Sequence, residues 1–375
     1  MPIKRFSNGT ALAIAISIAM SILLIVWLTL SGNNPEHKRR DFYAPIEKED
    51  INKSTTLLDS EIYIQKVYDL DLQSKSFAAD GYIWITWNGG LMAWDIKTKT
   101  DPADTIEFLN AVYKSDFNES LSPEEPYYNE KGIGYQAKSF SGKFLAYDID
   151  LRRFPFETIT LPIEIETDDF WISEAALMAR GTKNSSVSEK NSLNGYSFEK
   201  MNFTCRKHIY NTDFGLSDDA IKDFKINNTS EFSNCVAELI YKRETGSTAW
   251  RLFVPLLAVL WITILSPLID PRNLEPKVAL PASVVLSLVF LQQGYRDMLP
   301  DSISYLTFMD KVYGLSYIAT FLVFLEALIS TNLVLSLNEA TWLKMAPRLK
   351  AQERVLHRVL IAALFICPIL LWFTT

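Results

Sequence analysis

Four long apolar segments in the last third of the chain restrict its fold more than any other feature. They are Leu252–Ile269, Val278–Leu291, Val312–Leu335 and Val359–Phe373. With its flanks, each approaches the roughly 20 residues that an α-helix needs to cross a bilayer. We therefore expect a membrane protein. Neither a soluble chain nor a disordered one suits a sequence that also holds 22 Phe, 16 Tyr and 9 Trp.

A further apolar run, residues 11–30, carries no charge and follows Lys4 and Arg5, as a signal sequence would. No convincing small-residue cleavage site follows it, which favours an uncleaved N-terminal transmembrane anchor over a cleaved signal segment in residues 1–40. The cluster His37–Arg40 opposes this orientation, because the positive-inside rule would place it in the cytoplasm.

Charge divides the chain into three parts. Residues 41–250 hold 22 basic and 35 acidic side chains, whereas the rest hold 15 and 9. The connector between the third and fourth apolar segments has a net charge of +3 from Lys344, Arg348, Lys350, Arg354 and Arg358 against Glu339 and Glu353. The positive-inside rule places this connector in the cytoplasm and the acidic region outside a cell membrane. No basic patch with interleaved aromatics suggests nucleic acid as a partner.

Residues 41–250 show the alternation and β-branched composition of short strands. The predicted strands are Ile62–Tyr68, Gly81–Trp87, Phe140–Ile149, Ile159–Ile165, Tyr196–Tyr210 and Cys235–Arg243, with one or two helical turns at Ser217–Phe224 and a loop at Gly181–Asn194. We expect an extracellular antiparallel β-sandwich, immunoglobulin-like, over 41–250. A four-helix transmembrane bundle over 251–375 follows it, and the extra transmembrane helix precedes it.

Cysteine and histidine are too few and too scattered for a metal site, and no cofactor is expected. Cys205 and Cys235 lie in the same polar region and would be able to form a disulfide if that region is exported. The lone His208 is expected to be a polar surface residue, and no nucleophile elbow, metal motif or phosphate loop supports an enzyme.

The second apolar segment carries one chemically ordered helical face. Taking every third or fourth residue gives Glu275, Ala279, Ser283, Leu286, Phe290, Gln293 and Asp297. Five copies around an axis would form a pore with an acidic ring, an apolar constriction and a polar mouth. Lys277 should point away from that axis, since two residues rotate a helix by about 200°. The alternative is a buried helix of a monomeric bundle whose polar face pairs with its neighbours.

Several motifs resemble those of the pentameric ligand-gated ion channels, the Cys-loop receptor superfamily, and especially of its prokaryotic members. The strongest is Leu151–Ile163, which reads LRRFPFETITLPI and is similar to the family's loop between two strands. Glu157 stands where the family usually has Asp, and no cysteines flank the loop. Further similar pieces are Pro255 in the first channel span, Met298–Pro300 followed by Ser304–Asp310 after the second, and Tyr82 with Trp87 on one strand.

This resemblance implies a homopentamer in the lipid bilayer with Glu275 at the selectivity ring and Leu286 at the hydrophobic gate. Pro281, inside the second span, departs from the family pattern and affects the register of the inner pore. The resemblance also implies an aromatic ligand box between subunits, with candidates Tyr82, Phe170, Trp171, Tyr210 and Phe214. Aromatic faces attract amines. The alternative role of these aromatics is in the sandwich core, which we expect for Trp87.

For coupling between the two regions, the resemblance pairs Arg243 with Glu157, close to Pro300 and Asp301. The alternative is a solvated surface ion pair of little energetic value. The expected function is a channel for monovalent cations, gated by an extracellular small-molecule agonist or by protons. The alternatives are a non-conducting membrane receptor or assembly scaffold, which the first helix and Pro281 favour, and an anchored enzyme.

Overall fold

The structure is a computed structural model that describes most of the chain beyond residue 41. The described residues are 42–51, 53, 55–88, 101–147, 149–168, 170–180, 186–189, 191, 193–210, 212, 215, 230–301, 303–336 and 338, with 341–343, 345–347, 351, 353–355, 357–362 and 366. The predicted N-terminal helix, Phe214, the predicted helical turns at Ser217–Phe224 and most of the fourth apolar segment lie outside the described residues.

The acidic region folds into two β-sheets. Its strands are β1 (Phe42–Ala44), β2 (Thr56–Asp71), β3 (Ser76–Trp87), β4 (Ile106–Phe108), β5 (Asn118–Tyr128), β6 (Gly134–Leu145), β7 (Thr158–Thr167), β8 (Ala175–Ala179), β9 (Ser186–Val187), β10 (Tyr196–Tyr210) and β11 (Ser230–Arg243). One sheet has the order β1-β10-β11-β7-β4 and the other β5-β6-β3-β2-β8, with β9 beside β2. The prediction of a β-rich region is therefore confirmed.

Alternation along each strand builds the core. On β3, the side chains of Ile83, Ile85 and Trp87 are at most 1% exposed, while the intervening Tyr82 is 39% exposed. Successive side chains of a strand point to opposite faces, so this strand buries one face and leaves the other accessible. The expected core role of Trp87 follows from this alternation.

The pairing of β8 and β9 and the presence of β5 depart from the sequence expectation. β8 pairs with β2 in parallel, and so does β9 within the predicted loop Gly181–Asn194, so the second sheet is not purely antiparallel. β5 was not predicted, because Pro123, Pro126 and several exposed acidic residues interrupt its pattern. Prolines are tolerated there because β5 is an edge strand that pairs only with β6 on the described path.

Three long helices follow: α1 (Thr245–Leu265), continued by a 3₁₀ turn at Ser266–Leu268, then α2 (Leu274–Arg296) and α3 (Phe308–Ser336). Among the described residues, these three helices are long and apolar enough to span a membrane. The first begins at Thr245, immediately after β11 ends at Arg243, rather than at the expected boundary after residue 250. The polar first turn Thr245–Ala249 lacks the apolar pattern that signals a span, although its backbone is already helical.

Described residues between 341 and 362 are also helical, and three of them contact the long helices. Glu353 bonds Lys277 of α2, His357 Nδ1 lies 2.8 Å from the Ile264 carbonyl oxygen, and Leu360 packs in a cluster with Val323 and Ala319 of α3. Part of the predicted fourth segment therefore packs as a helix. Its full length as a span lies outside the described residues.

The chain forms two compact units. The β unit comprises the described residues up to Asp150 together with Thr158–Arg243, and the helical unit comprises the residues from Glu244 onward together with Leu151–Glu157. The sequence had placed Leu151–Glu157 inside a continuous domain of residues 41–250. It belongs to the helical unit because Phe154 and Phe156 pack against aromatic side chains of the helices.

Candidate functional site

The helix α2 has one exposed face that contains every predicted pore-lining residue. Exposed side chains on this face are Glu275, Ala279, Ser283, Leu286, Phe290, Gln293 and Asp297. Their spacing of three or four residues holds on both sides of Pro281, which is buried inside the helix. Members of this face on both sides of Pro281 are therefore exposed.

Polar groups on this face bond within the helix. The Ser283 hydroxyl donates to the Ala279 carbonyl oxygen at 2.9 Å, and Gln293 Nε2 donates to Asp297 Oδ1 at 2.9 Å. The two largest apolar side chains of the face, Leu286 and Phe290, are 59% and 68% exposed. The face is thus acidic at its first turn, apolar beyond its middle and polar at its end.

The opposite face of α2 is buried against the other helices. Its buried residues are Lys277, Pro281, Val284, Leu288 and Tyr295. Lys277 is fully buried and separated from the exposed Glu275, in agreement with the rotation expected from helix geometry. This buried face is apolar in its middle, with Lys277 near one end and Tyr295 near the other. Sequence periodicity did not show this arrangement.

A hydrogen-bond network joins the end of α2 to the start of α3. The Tyr295 hydroxyl donates to Asp310, and Arg296 forms an ion pair with Asp310 Oδ1 at 3.2 Å. The Thr307 N–H donates to Asp310 Oδ2 at 2.9 Å, while the Asp310 N–H donates to the Thr307 hydroxyl at 3.2 Å. This reciprocal pair is a capping box, and the spacing Thr-x-x-Asp was a sequence signal that could have located it.

The segment Leu151–Glu157 fits into the same end of the helical unit. The ring of Phe154, which is fully buried, stacks on Tyr295 with centroids 6.4 Å apart. Phe156 contacts Phe253 of α1 and Phe308 of α3, each at 6.1 Å. The Phe-Pro-Phe motif thus places one aromatic ring against α2 and the other between α1 and α3.

Main-chain bonds fix this segment further. The Phe308 N–H donates to the Arg152 carbonyl oxygen at 2.7 Å, and the Leu151 N–H donates to the Tyr305 hydroxyl oxygen at 2.9 Å. The Arg152 guanidinium also lies over the Tyr305 ring, 4.7 Å from its centroid. The segment therefore contacts α1, α2, α3 and the α2–α3 linker.

The predicted coupling residues occupy different environments. Pro300 and Glu157 are buried in the helical unit, and Asp301 is exposed there. In the β unit, Arg243 donates to the Tyr196 hydroxyl oxygen at 2.7 Å and lies over the same ring. The pairing of Arg243 with Glu157 stays a prediction.

In the β unit, Tyr210 belongs to a polar and aromatic cluster on the first sheet. Its hydroxyl donates to Glu166 Oε1 at 2.7 Å, and His208 Nδ1 lies 2.7 Å from Glu166 Oε2. The His208 ring lies between Tyr43 and Tyr210, with centroids 4.5 and 4.0 Å away. His208 is only 3% exposed, so its expected position on the surface is wrong.

This cluster arises from strand register. His208 faces Tyr43 on β1 and Phe232 on β11, while Glu166 of β7 faces Asn234 of β11. Its sequence signal was the alternation of Arg206, His208 and Tyr210 along β10.

The other aromatic candidates are separated. Tyr82 lies on the second sheet, where it stacks beside Trp84 with centroids 6.5 Å apart. Phe170 is 3% exposed and therefore belongs to the core. Its carbonyl oxygen accepts a hydrogen bond from the Thr167 hydroxyl at 3.0 Å in the turn after β7. Trp171 is half-buried next to it. Only Tyr82 and Trp171 thus join Tyr210 as candidates with accessible rings among the described aromatics.

Cys205 and Cys235 face each other across β10 and β11 and are joined by a disulfide. Cys235 is fully buried. The bridge links the strand that carries Tyr210 to the strand that leads into α1. No cluster of three or more His, Cys, Asp or Glu that could hold a metal ion occurs in the part of the chain that the structure describes.

No model of a known protein family matches the sequence, and no curated protein is significantly similar to it.

Proposed function

We propose that this protein is a homopentameric ligand-gated channel of the cell membrane, selective for monovalent cations, with α2 lining the pore. The observation that carries this proposal is the exposed face of α2. A helix that places Glu275, Ser283 and Gln293 on its exposed side is poorly suited to lipid, because polar groups are costly in a bilayer. Five such faces around a water-filled axis would remove that cost.

Selectivity is assigned to Glu275 and gating to Leu286. Five carboxylates near one axis raise the local cation concentration and repel anions. Five Leu286 side chains, 59% exposed in the single chain, would form a constriction that excludes water when the pore is closed. The buried position of Lys277 supports this assignment, because its positive charge does not lie on the Glu275 face.

The segment Leu151–Glu157 is assigned the coupling role. Its Phe154 ring touches Tyr295 near the end of α2, and Tyr295 bonds Asp310 at the start of α3. A displacement of this segment would therefore act on the pore helix and on α3 together. The accessible aromatics Tyr82, Trp171 and Tyr210 are the proposed contacts for an extracellular agonist, for which amines are the favoured class.

A second candidate function is a non-conducting receptor that keeps the channel fold. It is favoured by Leu286 and Phe290, which would place two rings of large apolar side chains on the axis. A constriction of that kind that never hydrates would pass no ions. The two candidates differ only in whether the assembled protein conducts.

Reversal potentials of purified protein in bilayers, measured in a sodium chloride gradient, test the proposal. Wild type should reverse near the sodium potential, and Glu275→Ala should shift the reversal potential towards that of chloride while leaving assembly intact. Asp297→Ala is the matched control, since it removes one carboxylate from the other end of the same face. A wild type that reverses at the chloride potential would contradict the selectivity. A stable monomer by native mass spectrometry would contradict the pore.

A further inference from the structure

Lys277 is fully buried and holds three elements of the helical unit with one ammonium group. Its Nζ lies 2.6 Å from Glu353 Oε1, 3.4 Å from Glu326 Oε1 of α3, and 3.3 Å from the Ile269 carbonyl oxygen in the turn after α1. An ammonium carries three donors. Here it donates hydrogen bonds to Glu353 and to the Ile269 carbonyl oxygen, and it forms an ion pair with Glu326. The group is therefore held in one position.

This arrangement is directional, unlike the rest of the buried face of α2. Between its ends, that face consists of Pro281, Val284 and Leu288, and apolar contacts permit small rotations of a helix because they have no preferred angle. Charge-assisted hydrogen bonds are short and directional. Removing the ammonium would also leave two carboxylates, Glu326 and Glu353, facing one buried position without their cation.

Helix geometry places a second buried polar residue, Tyr295, on the same face of α2 as Lys277. Lys277 and Tyr295 are 18 residues apart in the sequence. At 3.6 residues per turn, that separation is about five whole turns. Tyr295 bonds Asp310, so α2 has a polar anchor to its neighbours near each end.

We infer that Lys277 is a positioning residue that sets the rotation of the first turns of α2 and thereby aims Glu275 at the pore axis. Each residue of an α-helix corresponds to a rotation of about 100°. If α2 turned by the rotation of one residue, Glu275, two residues before Lys277, would therefore point about 100° away from the axis. Lys277 thus acts on ion selectivity from the side of the helix that does not touch the ions. The role in selectivity rests on the proposed function, whereas the rotation does not.

The two carboxylates contribute unequally. Glu353 makes the shorter contact and is itself largely buried, while Glu326 lies farther from the ammonium. Glu326→Gln should therefore change little, because the other two acceptors remain. Glu353→Gln should weaken the anchor while Lys277 keeps its charge and its contact with Glu326.

The test compares Lys277→Met, which keeps the apolar stem and removes the charge, with Lys277→Arg, which keeps a cation. Electron cryomicroscopy of the full-length protein in lipid measures the rotation of α2 directly, and reversal potentials measure selectivity. We expect α2 to be rotated at its first turns in Lys277→Met, with the cation-to-chloride permeability ratio lowered at least about fivefold. Lys277→Arg should restore both readouts.

An unrotated α2 in Lys277→Met would overturn the inference, even in a protein that conducts. A rotated α2 in a protein that never conducts would support the inference and contradict the proposed function. If Lys277→Met does not assemble, Glu353→Gln supplies the same two readouts, with Glu326→Gln as its matched control. Equal rotation and permeability in these two variants would then overturn the inference.

Discussion

Removing the disulfide of the β unit should lower its stability by an amount that follows from the loop it closes. The perturbation is Cys205→Ala with Cys235→Ala. Alanine is chosen because Cys235 is fully buried, where a serine hydroxyl would need a new hydrogen-bond partner. The two residues face each other in the β10–β11 ladder, so the strands remain paired on both sides of the lost bridge.

The sequence separation of the bridged residues is 30. For a loop of this size, the chain-entropy treatment gives about 4 kcal/mol less free energy of unfolding at 25 °C. One kcal/mol shifts the midpoint of a domain of this size by about 2–4 °C, so the expected loss is about 8–16 °C. The magnitude arises mainly in the unfolded chain, which gains freedom when the bridge is absent.

Thermal unfolding of the full-length protein, followed by tryptophan fluorescence at one scan rate, measures the shift. Wild type that has been reduced, with reduction checked by thiol alkylation, should move by a similar amount. Cys367→Ala is the control, because it removes the cysteine outside the bridge. A midpoint within about 2 °C of that of wild type would refute the reasoning, because the loop-closure effect is several times larger. An equal loss in Cys367→Ala would also refute it.

Three further outcomes are expected. Leu286→Ser should hydrate the constriction and produce a standing current or a higher agonist sensitivity in bilayer recordings, and no change in a conducting wild type would contradict the gate. Tyr295→Phe should lower the free energy of unfolding by about 1.5–3 kcal/mol, because the bond to the Asp310 carboxylate is lost while the stacked ring is kept; an unaltered midpoint in thermal unfolding would contradict this. Burial alone would raise the pKa of Asp50, but hydrogen bonds from Lys207 and the Glu47 N–H lower it below its ordinary value. The ionised Asp50 carboxylate therefore stabilises the β unit above about pH 4, and this stabilisation is lost as the pH falls through the lowered pKa. Asp50→Asn should therefore flatten the acid limb of a stability–pH curve, and a limb as steep as that of wild type would contradict the assignment.

Local periodicity was sufficient for much of the fold. The period of two along β3 and β10 located these strands, and the second of them was predicted with its observed bounds, Tyr196–Tyr210. The period of 3.6 along α2 identified the exposed face that runs from Glu275 to Asp297. These features depend on neighbours within one or two turns, so the sequence contains them directly.

The pairing of the strands and the unit to which each segment belongs were not predictable in the same way. The parallel pairing of β8 with β2 and the position of Leu151–Glu157 in the helical unit depend on contacts between distant parts of the chain. β5 was missed because proline and acidic residues hide the pattern of an edge strand, whose backbone needs only one partner.

The same division applies to the candidate site. The sequence by itself determined that a polar and acidic stripe lies on a membrane-length helix and that a Phe-Pro-Phe segment precedes β7. Only the tertiary structure decided that Lys277 is held by Glu353, 76 residues away, and that His208 is buried against Glu166, 42 residues away. The physical reason is that a buried charge or ring is defined by the partners that surround it, and these partners are brought together by packing and strand register rather than by spacing along the chain.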